Sequence, residues 1–254
     1  MYRAFDVELG TYDLSNVSRE KYLARKNNTR NQLKQLIASN DTIKSEDIKE
    51  LLLPTGGNFQ IFISHSHADE QLAINFAEAI EQRTGIKCFI DSLYWDNIDS
   101  LVEELKDNYL YDSETIDMGG LVKTCQHANI ILASALTEML NKCECVFFLN
   151  TSNSVIASKS KINQSTYSPW IYHEIYTISK LPSKRPVRPR AIYEASNEGL
   201  MHALMYDSYK SFTYDLDLQR MSKMNISDIK NWLSNAERLN HCKHPLDVLY
   251  NLIK

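Results

Sequence analysis

The chain has few of the residues that mark common nucleotide and hydrolase sites. Its 254 residues include only seven glycines. None of these form the spaced glycines of a dinucleotide-binding fold or of a phosphate-binding loop ahead of a lysine. The Gly-x-Ser-x-Gly sequence around the nucleophile of many hydrolases is also absent. If the chain binds a nucleotide, it must do so through another geometry.

Cysteine, long apolar runs and excess positive charge are also lacking. Five scattered cysteines are an odd number without the spacing of a disulfide framework. No apolar run approaches the roughly 18 residues of a membrane helix, and the first ten residues lack the pattern of a secretory signal. The formal net charge of −4 argues against a broad nucleic-acid surface. We therefore expect a cytoplasmic, reduced protein with no nucleic-acid or membrane partner.

The texture of the sequence changes after residue 57. Before it, leucines and isoleucines recur at helical intervals up to Pro54 and the pair Gly56-Gly57. From Asn58 onward, short apolar runs alternate with amphipathic stretches, which predicts an α/β fold with a parallel sheet and helices on both faces. We predict a helical N-terminal extension over residues 1–57, a central domain over 58–190, and a C-terminal α+β extension over 191–254 that packs on it.

Individual elements can be placed on this plan. The predicted strands are residues 59–63, 86–90 and 145–149, with two further strands at 191–193 and 211–214. The predicted helices are residues 72–84, one from Ser100, one through 130–140, one from Ser168, and two near 226–238 and 245–253. Residues 150–167 read as a polar loop.

Histidines and an aspartate alternate in "SHSHAD", which raises the question of a metal site. His65 and His67 point the same way if the backbone is extended, but no third ligand lies nearby in sequence. Ser66 and Asp69 also fit a helix capping box, which is a structural use of these residues. The cysteines and histidines near residues 143–145 and 241–244 match no zinc spacing. We therefore expect no metal.

The segment "SPWIYHEI" places two notable side chains on one helix. Ser168 suits the cap and Pro169 suits the first helical position. Trp170 and Glu174 are four residues apart, so they share a face near the amino-terminal end of the helix. In the structural alternative, Trp170 packs in the core and Glu174 is a solvated carboxylate.

Three segments in order resemble the boxes of Toll/interleukin-1 receptor (TIR) domains. "FQIFISHSHAD" is similar to the first box, "GIKCFID" to the second strand that closes in Asp91, and "SPWIYHEI" to the late box that carries a glutamate. The resemblance covers about residues 58–180 and implies a flavodoxin-like, doubly wound parallel sheet. The segment "IDSLYW" is similar to TIR proteins of Thoeris-type bacterial antiphage systems.

The resemblance also implies an activity. Many TIR domains cleave NAD between nicotinamide and ribose, and Glu174 matches their catalytic glutamate. NAD is then the substrate, and no separate cofactor is expected. In the implied fold Ser64, His65 and Asp91 lie at the rim of the ligand crevice.

The resemblance further suggests which aromatic side chains border the substrate. Tyr94 and Trp95 lie in the loop that matches the family's mobile loop, where they can stack on a base or fill the core instead. Trp170 makes the surroundings of the carboxylate drier.

Two non-catalytic functions stay open. The chain can be a TIR interaction module that joins other TIR domains, or a sensor that binds an ADP-ribose-like nucleotide without turnover. The loop after Asp91 lacks the glycine usual in the family, and residues 109–144 and 150–167 exceed a minimal TIR domain. As partners we expect NAD, further copies of the chain through TIR surfaces, and an effector protein that responds to the product.

Overall fold

The computed structural model describes residues 1–10, 27–28, 31–36, 39, 43–52, 57–90, 92–93, 117–156, 164–188, 212–238 and 243–253. Its centre is a parallel sheet of five strands in the order β3-β2-β4-β1-β7. These strands are β1 (Arg3–Glu8), β2 (Ile61–Ser64), β3 (Cys88–Ile90), β4 (Cys145–Leu149) and β7 (Met221–Asn225). Two short strands, β5 (Gln164–Thr166) and β6 (Tyr214–Leu216), pair antiparallel beside it.

Helices cover both faces of the sheet. They are α1 (Ser45–Leu52), α2 (Glu70–Thr84), α3 (Met118–Lys142), α4 (Pro169–Lys180), α5 (Ile226–Glu237) and α6 (Pro245–Leu252). A short 3-10 turn (His67–Asp69) leads into α2. None of the helices in the described ranges is long and apolar enough to cross a membrane.

Alternation along the strands divides the core into two layers. Phe5, Ile63 and Phe147 point to the face covered by α2, α5 and α6, which we call face A. Phe62 and Phe148 point to the opposite face, covered by α3 and α4, which we call face B. Successive strand residues alternate in direction, so each strand contributes to both layers. The fold is therefore α/β with a parallel sheet covered on both sides, as the sequence predicts.

The N-terminal segment contributes a strand in the interior of the sheet. β1 pairs with β4 from Arg3 to Val7 and with β7 from Ala4 to Glu8, so it has a neighbour on each side. The prediction of a helical extension is therefore wrong for residues 3–8. Charged residues interrupt this strand, whereas a fully covered parallel strand usually reads as a continuous apolar run. Further along, Leu33 and Ile48 do pack against α3, as a helical segment would.

The C-terminal segment completes the same sheet. β7 forms its edge, and Trp232 of α5 is fully buried on face A with its indole nitrogen donating to the carbonyl of Pro245 at 2.9 Å. The predicted helices near 226–238 and 245–253 are confirmed. The three predicted segments therefore share one sheet, although they were expected to be a central domain and two extensions.

Most other elements lie where the pattern places them. The central strands and the helices α2, α3 and α4 are present, and α2 ends at Gly85, whose φ of 69° is left-handed. The polar loop predicted over 150–167 contains β5, and the strand predicted at 211–214 is β6, displaced toward Leu216. The strand predicted at 191–193 and the helix predicted from Ser100 lie outside the described residues.

Two arginines hold the amino ends of the strands to the C-terminal helix. Arg3 donates to the carbonyl oxygens of Tyr250 at 3.2 Å and Ile253 at 2.5 Å. Arg188 makes paired hydrogen bonds to Glu144 at 2.6 and 2.7 Å and also bonds to Asp247. Arg188 therefore links the amino end of β4 to the start of α6. These contacts fix α6 against the bottom of the sheet.

If β1 is an integral strand, truncating its central side chain must destabilise the whole domain. Phe5 is fully buried, 5.6 Å from the Phe147 ring and 6.4 Å from the Tyr250 ring. Phe5→Ala should lower the free energy of unfolding by about 3–5 kcal/mol, measured by urea denaturation. Phe212→Ala is the control, since Phe212 is 71% exposed. Equal stability of the two variants would mean that β1 is detachable.

Candidate functional site

The candidate site lies at the carboxyl end of β2, on face B. Ser64 is the last residue of this strand and is paired in register with Phe148 of β4. Its hydroxyl donates to Oε2 of Glu174 at 2.5 Å, and both residues have no exposed surface. Two residues that the sequence assigned to the site, 110 positions apart, are thus in direct contact.

The sequence of α4 explains how Glu174 reaches this position. Ser168 accepts a hydrogen bond from the backbone of Ile171 and Pro169 begins the helix, as predicted. Ile171, Glu174 and Ile178 lie on the buried side of α4, which faces the sheet. The alternative of a solvated Glu174 is therefore wrong. A carboxylate in this setting has lost its water and depends on protein donors such as Ser64.

Trp170 contributes to the packing beside this site. It is half-buried and contacts the face B core as well as the separate cluster formed by Leu33, Ile48 and Leu132. These contacts involve only protein side chains, so the role of Trp170 beside a substrate stays a prediction. The contacts agree with the structural alternative, in which Trp170 packs against the core.

His65 is a buried side chain that joins the ends of two strands. Its Nε2 lies 2.9 Å from Oγ of Ser92, just beyond β3, and only 3% of its surface is exposed. His67 is exposed. His65 is not a rim residue open to solvent, because its imidazole is enclosed between the turn after β2 and the segment after β3.

The predicted capping box at the start of α2 is absent. Neither Ser66 nor Asp69 makes a side-chain cap. The carboxylate of Asp69 instead accepts from the Thr151 hydroxyl at 2.5 Å and the Asn153 amide at 2.7 Å. It therefore ties the β2–α2 turn to the segment that follows β4. Local spacing suggested a cap, whereas the tertiary partners lie more than 80 residues away.

A further buried carboxyl group, missed by the sequence reading, lies on β1, two strands away from β2. Asp6 of β1 is 2% exposed and accepts from the amide nitrogen of Asn150 at 2.8 Å. Burial raises the pKa of Asp6, and the hydrogen bond from Asn150 opposes this shift. Alternation within RAFDVE was the available signal, since it places Asp6 on the same face as Ala4.

Three residues expected at the site, Asp91, Tyr94 and Trp95, lie outside the described residues. Their predicted roles at the rim and in the loop over the pocket stay predictions. Ser92 and Leu93 are the described residues that precede Tyr94, and the hydroxyl of Ser92 is the contact to His65.

No cluster of metal ligands surrounds His65 or His67 in the part of the chain that the structure describes. Burial raises the pKa of Cys143 to about 12 and keeps that of Cys145 well above its ordinary value, so both are neutral thiols in the metal-free protein. Glu144, His244 and Asp247 do converge. The guanidinium of Arg188 bonds both carboxylates there, which makes this an ion-pair cluster.

No family model, curated protein or solved structure matches this chain. The resemblance to TIR domains therefore rests on the three sequence boxes. What they imply has to be argued from the geometry around Ser64 and Glu174.

The raised pKa of Asp6 predicts a pH-dependent stability. The folded protein holds the Asp6 proton more tightly than the unfolded chain, whose ordinary value is 3.8. This group therefore stabilises the fold fully below 3.8, and the contribution is lost as pH rises through the folded pKa. Asp6→Asn keeps an oxygen for Asn150 and removes the cost of ionisation, so its melting temperature should exceed that of the native protein at pH 7.

The advantage of Asp6→Asn should shrink as the pH is lowered toward 4, measured by thermal denaturation at a series of pH values. Asp215→Asn is the control, because Asp215 is exposed on β6. A stability difference that stays constant with pH would contradict the assignment.

Proposed function

We propose that the chain is a TIR-type enzyme that cleaves NAD, with Glu174 as the catalytic carboxylate. The observation that carries the proposal is the fully buried Glu174 held by Ser64 at the carboxyl end of a parallel strand. Ligands of open α/β sheets bind at this edge of the sheet. Both residues come from boxes that resemble the TIR family, and their contact in space is independent of that resemblance.

The strand order supports a flavodoxin-like plan for this proposal. β2, β3 and β4 occupy the order β3-β2-β4, which corresponds to 2-1-3 in the flavodoxin-like order 2-1-3-4-5. The fourth and fifth places are taken by β1 and β7, from the two ends of the described chain. The chain therefore departs from the family in its connections, while the strand that carries Ser64 keeps its expected place.

The chemistry suits a fixed carboxylate. The bond between the ribose carbon and the nicotinamide nitrogen breaks, and its electron pair leaves with neutral nicotinamide, so no proton has to be donated. Positive charge develops on the ribose, where a preorganised anion stabilises it. Water then bonds to the ribose carbon and loses its proton, or a nucleophile within the same molecule closes a cyclic product.

The enclosure of Glu174 has a consequence for activity. A carboxylate with no exposed surface meets a substrate only after the side chains around it shift. We propose that self-association, or a trigger, provides this opening in antiphage signalling, with an effector protein downstream of the product. The activity should therefore rise with protein concentration.

Glu174→Gln should lower nicotinamide release from NAD by roughly a hundredfold or more, since the anion that stabilises the ribose cation is lost. The assay is mass spectrometry of products over a range of protein concentrations. Glu237→Gln, an exposed glutamate on α5, is the matched control. Unchanged release from Glu174→Gln, or none from the native protein at any concentration, would favour an interaction module or a nucleotide sensor instead.

Ser64 is proposed as a positioning residue for Glu174. Ser64→Ala removes a hydrogen bond to a charged group, which is worth about 1.5–3 kcal/mol, so kcat should fall roughly 10–100-fold. KM should change little, and Ser64→Thr, which keeps the hydroxyl, should recover most of the rate. Ser179→Ala on α4 also removes a buried hydroxyl, which bonds the Tyr176 carbonyl.

The two serine variants separate positioning from stability. Both variants should lower the melting temperature. If the folded protein of each variant keeps the native kcat, Ser64 contributes only to stability.

A further inference from the structure

A cavity of about 260 Å³ opens at the carboxyl ends of β1 and β4. Its lining is partly apolar and partly polar. The apolar lining consists of Val7, Leu9, Leu72 and Leu149, and the polar lining, which we call the polar wall, consists of Gly10, Asn150, Thr151 and Ser152. A volume slightly below the usual range of ligand pockets fits a single ring system rather than a whole dinucleotide.

The cavity and Glu174 lie on opposite sides of the point in the sheet where the helices that follow the strands change from one face to the other. The helix after β2 is α2, which lies on face A and contributes Leu72 to the cavity. The helix after β4 is α4, which lies on face B and carries Glu174. Adjacent strands whose following helices lie on opposite faces form the crevice where open α/β sheets bind ligands. Neighbouring strands lie about 4.8 Å apart, and β2, β4 and β1 are consecutive in the sheet, so a ligand as long as a dinucleotide can extend from one place to the other.

The chemistry of the cavity disfavours a phosphate. The described residues that line it include no lysine, arginine or histidine. Two lining residues, Asn150 and Thr151, donate to the buried carboxyl groups of Asp6 and Asp69. An anion in the cavity would therefore approach the carboxyl groups of Asp6 and Asp69, and the described lining residues supply no cation to offset the repulsion.

The same polar wall suits a ring that carries an amino group. One N–H of the Asn150 amide is donated to Asp6, which leaves the amide oxygen to accept a hydrogen bond and the second N–H to donate one. The Ser152 hydroxyl is exposed at the mouth and also accepts. Leu72 and Leu149 provide flat apolar contact for the faces of a ring. An aminopurine meets these demands, since its faces are apolar and its edge donates.

We propose that this cavity holds the adenine ring of the nucleotide whose ribosyl bond lies at Glu174. The nicotinamide end cannot occupy the cavity, because the bond that breaks must lie beside Glu174 on face B. The far end of the same molecule then crosses the strand ends toward face A. The identity of the nucleotide as NAD rests on the proposed function, whereas the preference for an uncharged aminopurine rests on the cavity itself.

The first test measures the binding of small fragments to the native protein by ligand-observed NMR. Adenosine should bind, and ribose 5-phosphate at the same concentration should neither bind nor displace it. If ribose 5-phosphate competes with adenosine, or adenosine does not bind at millimolar concentration, the proposal is overturned.

The second test fills the cavity. Leu72→Trp should weaken adenosine binding at least tenfold and raise KM for NAD by a similar factor with little change in kcat. Gln82→Trp places the same ring on the exposed part of α2 and is the matched control. Ser152→Trp places a large ring at the mouth of the cavity. Because Ser152 is exposed, this variant should fold even if Leu72→Trp does not. Native-like adenosine binding by Ser152→Trp would refute the proposal.

The two proposals fail in distinguishable ways. Nicotinamide release that depends on Glu174, with a KM unaffected by Ser152→Trp, would refute the adenine site and leave the enzyme. Adenosine binding that is lost in Ser152→Trp, in a protein that releases no nicotinamide, would support the cavity and refute the enzyme.

Discussion

The pairing of β1 with both β4 and β7 is the constraint on which the rest of the structure depends. Without β1, β7 has no neighbour in the sheet, and the face A core loses Phe5 and Val7 from its centre. The helices on both faces pack against these paired strands, so their positions depend on the same pairing. The position of Glu174 depends on this arrangement indirectly, because α4 packs on a sheet that β1 holds together.

The carboxyl edge of the sheet gathers buried polar groups that interact across long stretches of sequence. Ser64 bonds Glu174, His65 bonds Ser92, and Asp69 bonds Thr151. Buried polar networks of this kind favour one arrangement of the strand ends over alternatives, since each unmade bond would leave a desolvated group. The site is therefore preorganised by the fold, and its carboxylate is enclosed by the same contacts that fix its orientation.

Described helices and strands with a clear apolar pattern were predicted from the sequence. A strand that is partly buried but contains polar residues was not. β4 reads CVFFL and was placed correctly, whereas β7 reads MSKMN and was missed. Glu174 was singled out through a resemblance, and its catalytic role stays a prediction, whereas its contact with Ser64 is a feature of the fold. The role of Asp69 was misjudged because its partners at residues 151 and 153 are unrelated to the local capping pattern.

The long separation between β1 and β7 bears on how the chain folds. The paired positions Ala4 and Met221 are 217 positions apart, so this pairing closes a very long loop, and such contacts slow folding. During synthesis, β1 emerges long before β7. Until β7 arrives, the edge of β1 exposes unpaired backbone groups that can pair with another chain. Protection of this edge in the cell is therefore a requirement that the topology itself imposes.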